Sequence, residues 1–246
     1  TTLFRSSPGA YFADVLDKSG KTVFSGSIIP SRGTWLEFET DAKDTLNVRI
    51  DRNRKMPGTV LLRALGLSSN EEIIDVFGEH EYITNTLAKD NTTNTEEALI
   101  EIYNKLRPGE PATLEGANNL LYTRFFDCKR YDLAKAGRFK FGKKLSLLDR
   151  IAGRVLAQDL VDNDGNVVYP EGTLITQEVI DKIKPVLEAG AHTRKLTTNP
   201  RLESNDVIQV LDVYVDETKS KKMRVIGTDL SLTSKFVTIS DMIAAY

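Results

Sequence analysis

Hydrophobic and polar positions alternate along the first 50 residues. Residues 35–39 (WLEFE) and 46–50 (LNVRI) place apolar side chains at every second position, which is the period of a half-buried strand. The turn-like residues 41–44 lie between them and favour a hairpin. Residues 22–29 form a further strand-like run after a turn at Ser19 and Gly20. The sequence therefore begins with predicted β-structure.

Helical spacing replaces this alternation beyond Pro57. Ser69 and Glu72 fit a capping box ahead of an apolar run. The helix capped by Thr95 is expected to end at Leu106, because proline follows closely. Residues 80–95 are polar and rich in Asn and Thr, so they are predicted to form a loop. Four helices are expected, starting near residues 59, 69, 95 and 113.

The pattern changes again near residue 145. Residues 155–160 and 167–169 flank the segment 162–166 (DNDGN), which is a strong hairpin signal. Thr176 is placed to cap a helix that ends before Gly190. Pro185 should kink or shorten that helix, because proline removes a backbone donor.

Two more strand-like runs, residues 207–215 and 222–226, complete this part of the chain. We therefore expect an α+β fold. Its main domain of antiparallel strands and short helices would span residues 1–145, with a small β-rich module inserted at 146–228 and a return segment at 229–246. Ser240 is placed to cap a terminal helix that is still apolar at Tyr246, so the chain is expected to be truncated.

Composition narrows the class of protein. The chain is 40% hydrophobic and 28% charged, as in ordinary globular proteins, and no apolar run is long enough for a membrane helix. The single cysteine, Cys128, excludes an internal disulfide and favours a reducing compartment. With only His80 and His192 besides, a zinc site is not expected.

Charge is distributed unevenly, although the net charge is only −2. Residues 49–63 contain five basic residues and one acidic residue, and residues 124–144 contain eight basic and two acidic. Local surpluses of this size suit a surface that faces phosphates. They fit two solvated charged faces equally well, and charge alone leaves both interpretations open.

Signatures of independent catalysis are missing from the sequence. We find neither a phosphate-binding glycine loop followed by Lys-Ser/Thr nor a nucleophile elbow. A calcium loop over residues 162–171 fails, because its first ligand position falls on Leu160. Cys128 has a lysine neighbour but no histidine close in sequence. A free-standing hydrolase is therefore not expected.

Six segments, taken in order, resemble the β subunit of bacterial DNA-directed RNA polymerase. The most specific contains the Arg-Pro-Gly-Glu-Pro sequence that begins at Arg107. The similarity extends over about residues 3–144, and the remainder resembles an insertion seen in β subunits of Firmicutes-like bacteria. The segments are residues 7–12, 28–39, 48–55, 61–66, 102–111, and 125–126 with 129–133 and 137–140.

This resemblance implies that residues 1–145 form the lobe, one wall of the downstream DNA channel. The implied enzyme is a nucleotidyltransferase, but the fragment would lack the catalytic centre, whose magnesium belongs to the partner β′ subunit. No cofactor is expected in this chain. The implied partners are DNA, the β′ and α subunits and a sigma factor, with no membrane contact. The isolated fragment is expected to be monomeric, and the enzyme cytoplasmic and nucleoid-associated.

The resemblance also implies a set of DNA-contacting residues. Trp35 matches a tryptophan that stacks on a nontemplate-strand base, although a core tryptophan is the alternative. Asp51 would either accept a hydrogen bond from a cytosine amine or fix a neighbouring arginine. Arg107 would brace Trp35, contact DNA, or pair with Glu110. The basic residues expected to follow phosphates are Arg52, Arg54, Lys55, Arg130 and Arg138.

One position departs from the family pattern. Ser6 stands where the family has an arginine that joins a pocket for a nontemplate guanine, and Arg5 lies one residue earlier. Either Arg5 supplies the guanidinium after a local shift, or the contact is lost. The alternative to DNA contact is a structural or protein-docking module of the polymerase, in which the basic residues pair with carboxylates or other subunits.

Overall fold

A computed structural model describes residues 7–195 and 207–228 of the chain. These residues divide into two compact units, residues 7–140 and residues 141–195 with 207–228. Strands and helices occur in both units, which confirms the α+β class. The expected cap at Ser240 and the positions Arg5 and Ser6 lie outside the described residues.

The first unit begins with a five-stranded antiparallel sheet whose strands follow one another in chain order. The predicted hairpin is confirmed, with Leu36 paired to Ile50 and Thr40 to Leu46. The strands are β1 (Gly9–Leu16), β2 (Thr22–Ile29), β3 (Leu36–Thr40), β4 (Leu46–Ile50) and β5 (Met56–Pro57).

Five helices follow the sheet, and a sixth crosses the boundary between the units. The capping box of Ser69 and Glu72 is present as predicted, and Thr113 caps its helix by accepting the N–H of Gly116. The helices are α1 (Gly58–Ala64), α2 (Asn70–Phe77), α3 (Glu81–Lys89), α4 (Thr95–Leu106), α5 (Leu114–Phe125) and α6 (Ala134–Leu145).

Two predictions for this unit are wrong. The expected loop at residues 80–95 contains α3, which His80 caps by accepting the N–H of Tyr82 at Nδ1, 3.3 Å away. The cap of α4 is Asn94, whose side chain accepts the N–H of Glu97 at 2.9 Å, and Thr95 is the first helical residue. Asparagine and threonine both favour such caps, so composition alone did not separate a loop from a capped helix.

The core of the first unit lies between one side of the sheet and three helices. Apolar side chains of β4 and β5 meet those of α1, α4 and α5, and the residues at the centre of this core are each less than a tenth exposed. This arrangement fixes the C-terminal end of α5 relative to the start of β3, on which the candidate site is built. The central residues are Val48, Ile50, Met56, Val60, Leu99, Ile102 and Leu121.

The second unit has a separate apolar core. The predicted hairpin is present, with Asp162 accepting the backbone N–H groups of Asp164 and Asn166. The helix expected after Thr176 runs through Pro185 to Glu188, so proline does not shorten it. The elements are α7 (Leu147–Ile151), β6 (Val155–Leu156), β7 (Leu160–Val161), β8 (Val167–Tyr169), α8 (Gln177–Glu188), β9 (Thr193–Lys195), β10 (Val207–Tyr214) and β11 (Lys222–Thr228).

Candidate nucleic-acid interface

Trp35 lies directly before β3 and is half-buried. Its backbone N–H donates to Oδ1 of Asp51 at 2.9 Å, and its carbonyl accepts the N–H of Asp51 at 3.0 Å. Trp35 is not part of the apolar core between the sheet and the helices. The interpretation as a core tryptophan is therefore not supported, and the residue is partly accessible from solvent.

The turn after β4 places an arginine on this indole. Asp51 and Arg52 have φ values of 51° and 61°, and the N–H of Asn53 closes the turn on the carbonyl of Ile50 at 3.1 Å. Left-handed φ at both central positions is what a type I′ turn requires, and it costs roughly 1–2 kcal/mol at a non-glycine residue. The Arg52 guanidinium carbon lies 5.5 Å from the ring centre of Trp35, within cation–π range.

Arg124 braces the turn from the last turn of α5. Its guanidinium forms an ion pair with Oδ2 of Asp51, and both side chains are about one-third exposed. Asp51 therefore accepts the Trp35 N–H with one oxygen and the arginine with the other. Of the two roles expected for Asp51, fixing an arginine is the one seen in the structure, although the arginine is Arg124 and not a sequence neighbour.

The connection between β2 and β3 docks on residues 130–132. Arg32 and Asp132 exchange backbone hydrogen bonds of 3.1 and 2.9 Å. Gly33 has a φ of 120°, and a Cβ there would lie 2.9 Å from the carbonyl oxygen of Arg130. Only glycine fits this approach without a shift of the backbone. The close contact brings Arg130 into the neighbourhood of Trp35.

Two small cavities adjoin this region. One has a volume of about 260 Å3 and the other about 240 Å3, and Arg107, Leu120, Thr123 and Arg130 line both. The second is also lined by Thr34 and Arg124. The site thus combines a partly exposed tryptophan with guanidinium and hydroxyl groups. Such a set can stack on a planar base, bind its polar edge, or hold a phosphate.

The structure brings together five of the eight predicted site residues around these cavities and the indole: Trp35, Asp51, Arg52, Arg107 and Arg130. Arg54, Lys55 and Arg138 do not line either cavity, and each is exposed. Arg124 belongs to the second basic run, but the sequence did not predict it as a site residue. Its carboxylate partner lies 73 residues away, so no local signal identifies the pair.

Carboxylates neutralise much of the local positive charge. Arg107 pairs with Glu110 at 3.1 Å, and Arg130 lies 3.7 Å from Asp127. The hydrogen bond and charge of Glu110 raise the pKa of Arg107 further, so it stays protonated. Lys55 and Arg49 share Glu39, at 3.3 and 3.1 Å. Within residues 7–195 and 207–228, Arg52, Arg54 and Arg138 have no carboxylate within ion-pair distance.

Other chemistry is not assembled in the described parts of the chain. Within them, no three His, Cys, Asp or Glu side chains are grouped so that they could hold a metal ion. Cys128 is a free, exposed thiol. None of the described helices combines the length and the apolar character that crossing a membrane requires.

Comparison with known proteins gives a consistent result. The chain is 48% identical over 242 residues to the DNA-directed RNA polymerase subunit beta of Listeria welshimeri. It is 47% identical over 244 residues to the subunit of Geobacillus thermodenitrificans and 49% identical over 243 residues to that of Staphylococcus aureus. Each alignment covers 97% of this chain and 20% of the relative. The chain therefore spans about a fifth of the length of these relatives.

A family model supports the same assignment. The model described as RNA polymerase Rpb2, domain 2, matches residues 6–162, which include β1 to β7 and all of the candidate interface. This chain belongs to that family and corresponds to a region of the bacterial RNA polymerase β subunit.

Proposed function

We propose that this chain is the lobe of an RNA polymerase β subunit and forms one wall of the downstream DNA channel. In this proposal, residues 1–145 are the lobe, 146–228 an inserted module and 229–246 the return segment. Nucleotidyl transfer belongs to the assembled cytoplasmic enzyme, with its magnesium in the β′ subunit. The α subunits and a sigma factor complete that assembly.

The observation that carries the proposal is the position of Trp35. Its indole lies outside the apolar core and carries a guanidinium at 5.5 Å. Stacking of a base on an aromatic ring contributes about 1–3 kcal/mol and tolerates any base sequence. A nontemplate base can use the face opposite Arg52, or it can displace Arg52, whose charge is then available for a phosphate.

Exposed basic residues that have no carboxylate partner among the described residues would supply the electrostatic contribution to DNA binding. Arg52, Arg54 and Arg138 are the candidates for phosphate contacts, because ion pairs already neutralise much of the charge of Lys55, Arg107 and Arg130. Each phosphate contact adds affinity for DNA in every register and so opposes movement along it. A set of only three such residues therefore suits an enzyme that moves along DNA.

A structural role is the alternative, and the ion pairs favour it. If the basic residues serve mainly to hold β3, β4 and α5 together, the lobe would shape the channel with little direct contact to DNA. The two functions differ in the salt dependence of DNA binding, because only phosphate contacts release counterions from the DNA.

We predict that replacing Arg52 and Arg54 by alanine in the complete polymerase weakens the salt dependence of DNA binding. The slope of log K against log salt should fall by about 0.9 for each lost phosphate contact, or roughly 1.8 in total. The measurement is a salt titration of binding to promoter DNA. A matched control replaces Lys18 and Lys43, which are exposed in the turns of the same sheet. An unchanged slope in the arginine variant would leave only the structural role.

We also predict that Trp35→Ala shortens the lifetime of the open promoter complex. Loss of one stacked base removes about 1–3 kcal/mol of stabilisation, so the lifetime should shorten by about 5- to 150-fold. Trp35→Phe should retain most of the lifetime, because a smaller ring still stacks. Equal lifetimes for Trp35→Ala and the unchanged enzyme would contradict a stacking role.

A further inference from the structure

Arg124 is connected to Trp35 through one carboxylate. Oδ1 of Asp51 accepts the backbone N–H of Trp35 at 2.9 Å, and Oδ2 accepts the guanidinium of Arg124. The backbone N–H of Asp51 returns to the Trp35 carbonyl at 3.0 Å. Each oxygen of this carboxylate thus has a donor from a different segment of the chain.

The turn that carries Asp51 needs such support. Asp51 and Arg52 are both left-handed, and neither is glycine, so the turn is strained. Strained backbone persists only where surrounding contacts hold it. The contact from Arg124 comes from α5, whose residues Ala117, Leu120 and Leu121 are in the core. Arg124 therefore links a helix that is anchored in the core by Ala117, Leu120 and Leu121 to the strained turn.

The same turn determines what lies over the indole. Arg52 follows Asp51 directly, and its guanidinium lies 5.5 Å from the ring centre of Trp35. A turn that relaxes to ordinary φ values would redirect the Arg52 side chain and release the hydrogen bond to the Trp35 backbone. The position of the indole and the occupancy of one of its faces both depend on this turn.

We propose that Arg124 is a positioning residue for Trp35 and acts through Asp51. The inference rests on the proposed function of Trp35 and adds to it a residue that touches no DNA. It also gives Asp51 a supporting role, since both of its oxygens are engaged within the protein. Arg124 is then needed for base stacking without contributing a contact of its own.

Trp35 is the only tryptophan in the chain, so its fluorescence reports on the site directly. In the 246-residue chain, Arg124→Leu should shift the Trp35 emission to longer wavelength and increase its quenching by acrylamide. Arg124→Lys should restore most of the original spectrum, because an ammonium can still reach the carboxylate. Far-UV circular dichroism should stay unchanged, since leucine is also a good helix former.

The matched control is Lys105→Leu. Lys105 lies in the last turn of α4 and pairs with Glu101 at 3.4 Å, so this variant removes a comparable charge away from Asp51. It should leave the Trp35 spectrum as it is. The proposal would be overturned if Arg124→Leu had the same spectrum as the unchanged chain. It would also be overturned if Lys105→Leu shifted the emission as much as Arg124→Leu does.

A double-mutant cycle in the complete polymerase tests whether Arg124 supports the proposed function of Trp35. Arg124→Leu should shorten the lifetime of the open promoter complex by about threefold to tenfold, a size typical of coupled neighbours. In a Trp35→Ala background the same change should have no further effect, because its target is gone. An additive effect would mean that Arg124 acts on DNA directly, and the positioning role would be wrong.

The two proposals fail in different ways. If Trp35→Ala leaves the lifetime unchanged, the stacking function is wrong, whatever the fluorescence of the Arg124 variants shows. If Trp35→Ala shortens the lifetime and Arg124→Leu does not, stacking stands and the role of Arg124 is overturned.

Discussion

At the scale of single residues, the most deeply buried charges of the first unit are Arg63 in α1 and Asp90 after α3. They form an ion pair at 3.1 Å, with side chains 3% and 0% exposed. The carboxylate also accepts the hydroxyls of Thr59 and Thr92, each at 2.6 Å. Burial alone would raise the pKa of Asp90, but these hydrogen bonds and that of Arg63 outweigh it and lower the pKa. Asp90 is therefore ionised at neutral pH.

We expect Asp90→Asn to lower the free energy of unfolding by about 3–5 kcal/mol at neutral pH, because it leaves the guanidinium of Arg63 buried without a counter-charge. Urea unfolding followed by circular dichroism measures this loss. The matched control is Asp14→Asn, an exposed carboxylate on β1 that should change stability little. Similar losses in both variants would show that the buried pair contributes nothing specific.

Residues of the candidate interface were predictable only in part. Trp35, Asp51 and Arg107 follow from their resemblance to a known family, and the structure brings them into one neighbourhood. The ion pair of Arg124 with Asp51 was not predictable, because it depends on how α5 packs against the sheet. The first charge run overstated the free positive charge, since Glu39 and Asp90, which lie outside it, pair with Arg49, Lys55 and Arg63.

At the scale of elements, local signals predicted the hairpins and most helix starts, and α3 shows their limit. Its sequence contains few apolar residues, and its buried face includes Thr86. The hydroxyl of Thr86 accepts the backbone N–H of Leu46 in β4 at 2.9 Å. A polar residue thus serves as a core contact, which no hydrophobic periodicity can reveal.

The turn between β3 and β4 provides a pH-dependent test. Asp41 accepts the N–H groups of Lys43 and Thr45 at 2.9 and 3.0 Å, and the ammonium of Lys89 at 2.8 Å. Burial alone would raise the pKa of Asp41, but Lys89 and these N–H groups outweigh it and lower the pKa to about 2. The ionised carboxylate therefore stabilises both the turn and the end of α3.

We expect Asp41→Ala to lower the free energy of unfolding by roughly 1–3 kcal/mol at neutral pH, as for other charge-assisted hydrogen bonds. The folded pKa is below the unfolded value of about 3.9, so this stabilisation is present above that pH and is lost as the pH falls towards 2. Urea unfolding at several pH values measures the change.

Lys89→Met separates the two contributions, because it removes the ion pair and leaves the backbone hydrogen bonds of the turn intact. We expect a loss below about 1 kcal/mol for this partly exposed pair. A stability difference between Asp41→Ala and the unchanged chain that stays constant down to pH 2 would contradict the role of the ionised carboxylate.

At the scale of the whole molecule, each of the two units has its own core. The first core is centred on Ile50, Ile102 and Leu121. The second core is centred on Ile183 and Leu211, both of which are 0% exposed. Changes of hydrophobic period and turn signals indicated that the chain changes character near residue 145. Periodicity did not show which side chains share a core, because that depends on packing between elements distant in sequence.

We predict that Ile183→Ala destabilises the second unit alone. Truncation of a fully buried isoleucine costs about 2–5 kcal/mol. Circular dichroism should then show an early unfolding phase, while the fluorescence of Trp35, in the first unit, keeps its midpoint. Ile102→Ala is the reciprocal variant and should shift the fluorescence midpoint. A common shift of both signals in either variant would mean that the units unfold as one.

The backbone bridge between Arg32 and Asp132 has a consequence for the order of events during synthesis. The two residues of this bridge are a hundred positions apart in sequence. At roughly 5–20 residues per second, the ribosome adds Asp132 about 5–20 s after Arg32. The sheet can pair earlier, but Trp35 acquires its arginine-lined surroundings only when the far end of the unit has been made. Completion of the interface therefore marks a nascent chain that has been synthesised at least as far as Asp132.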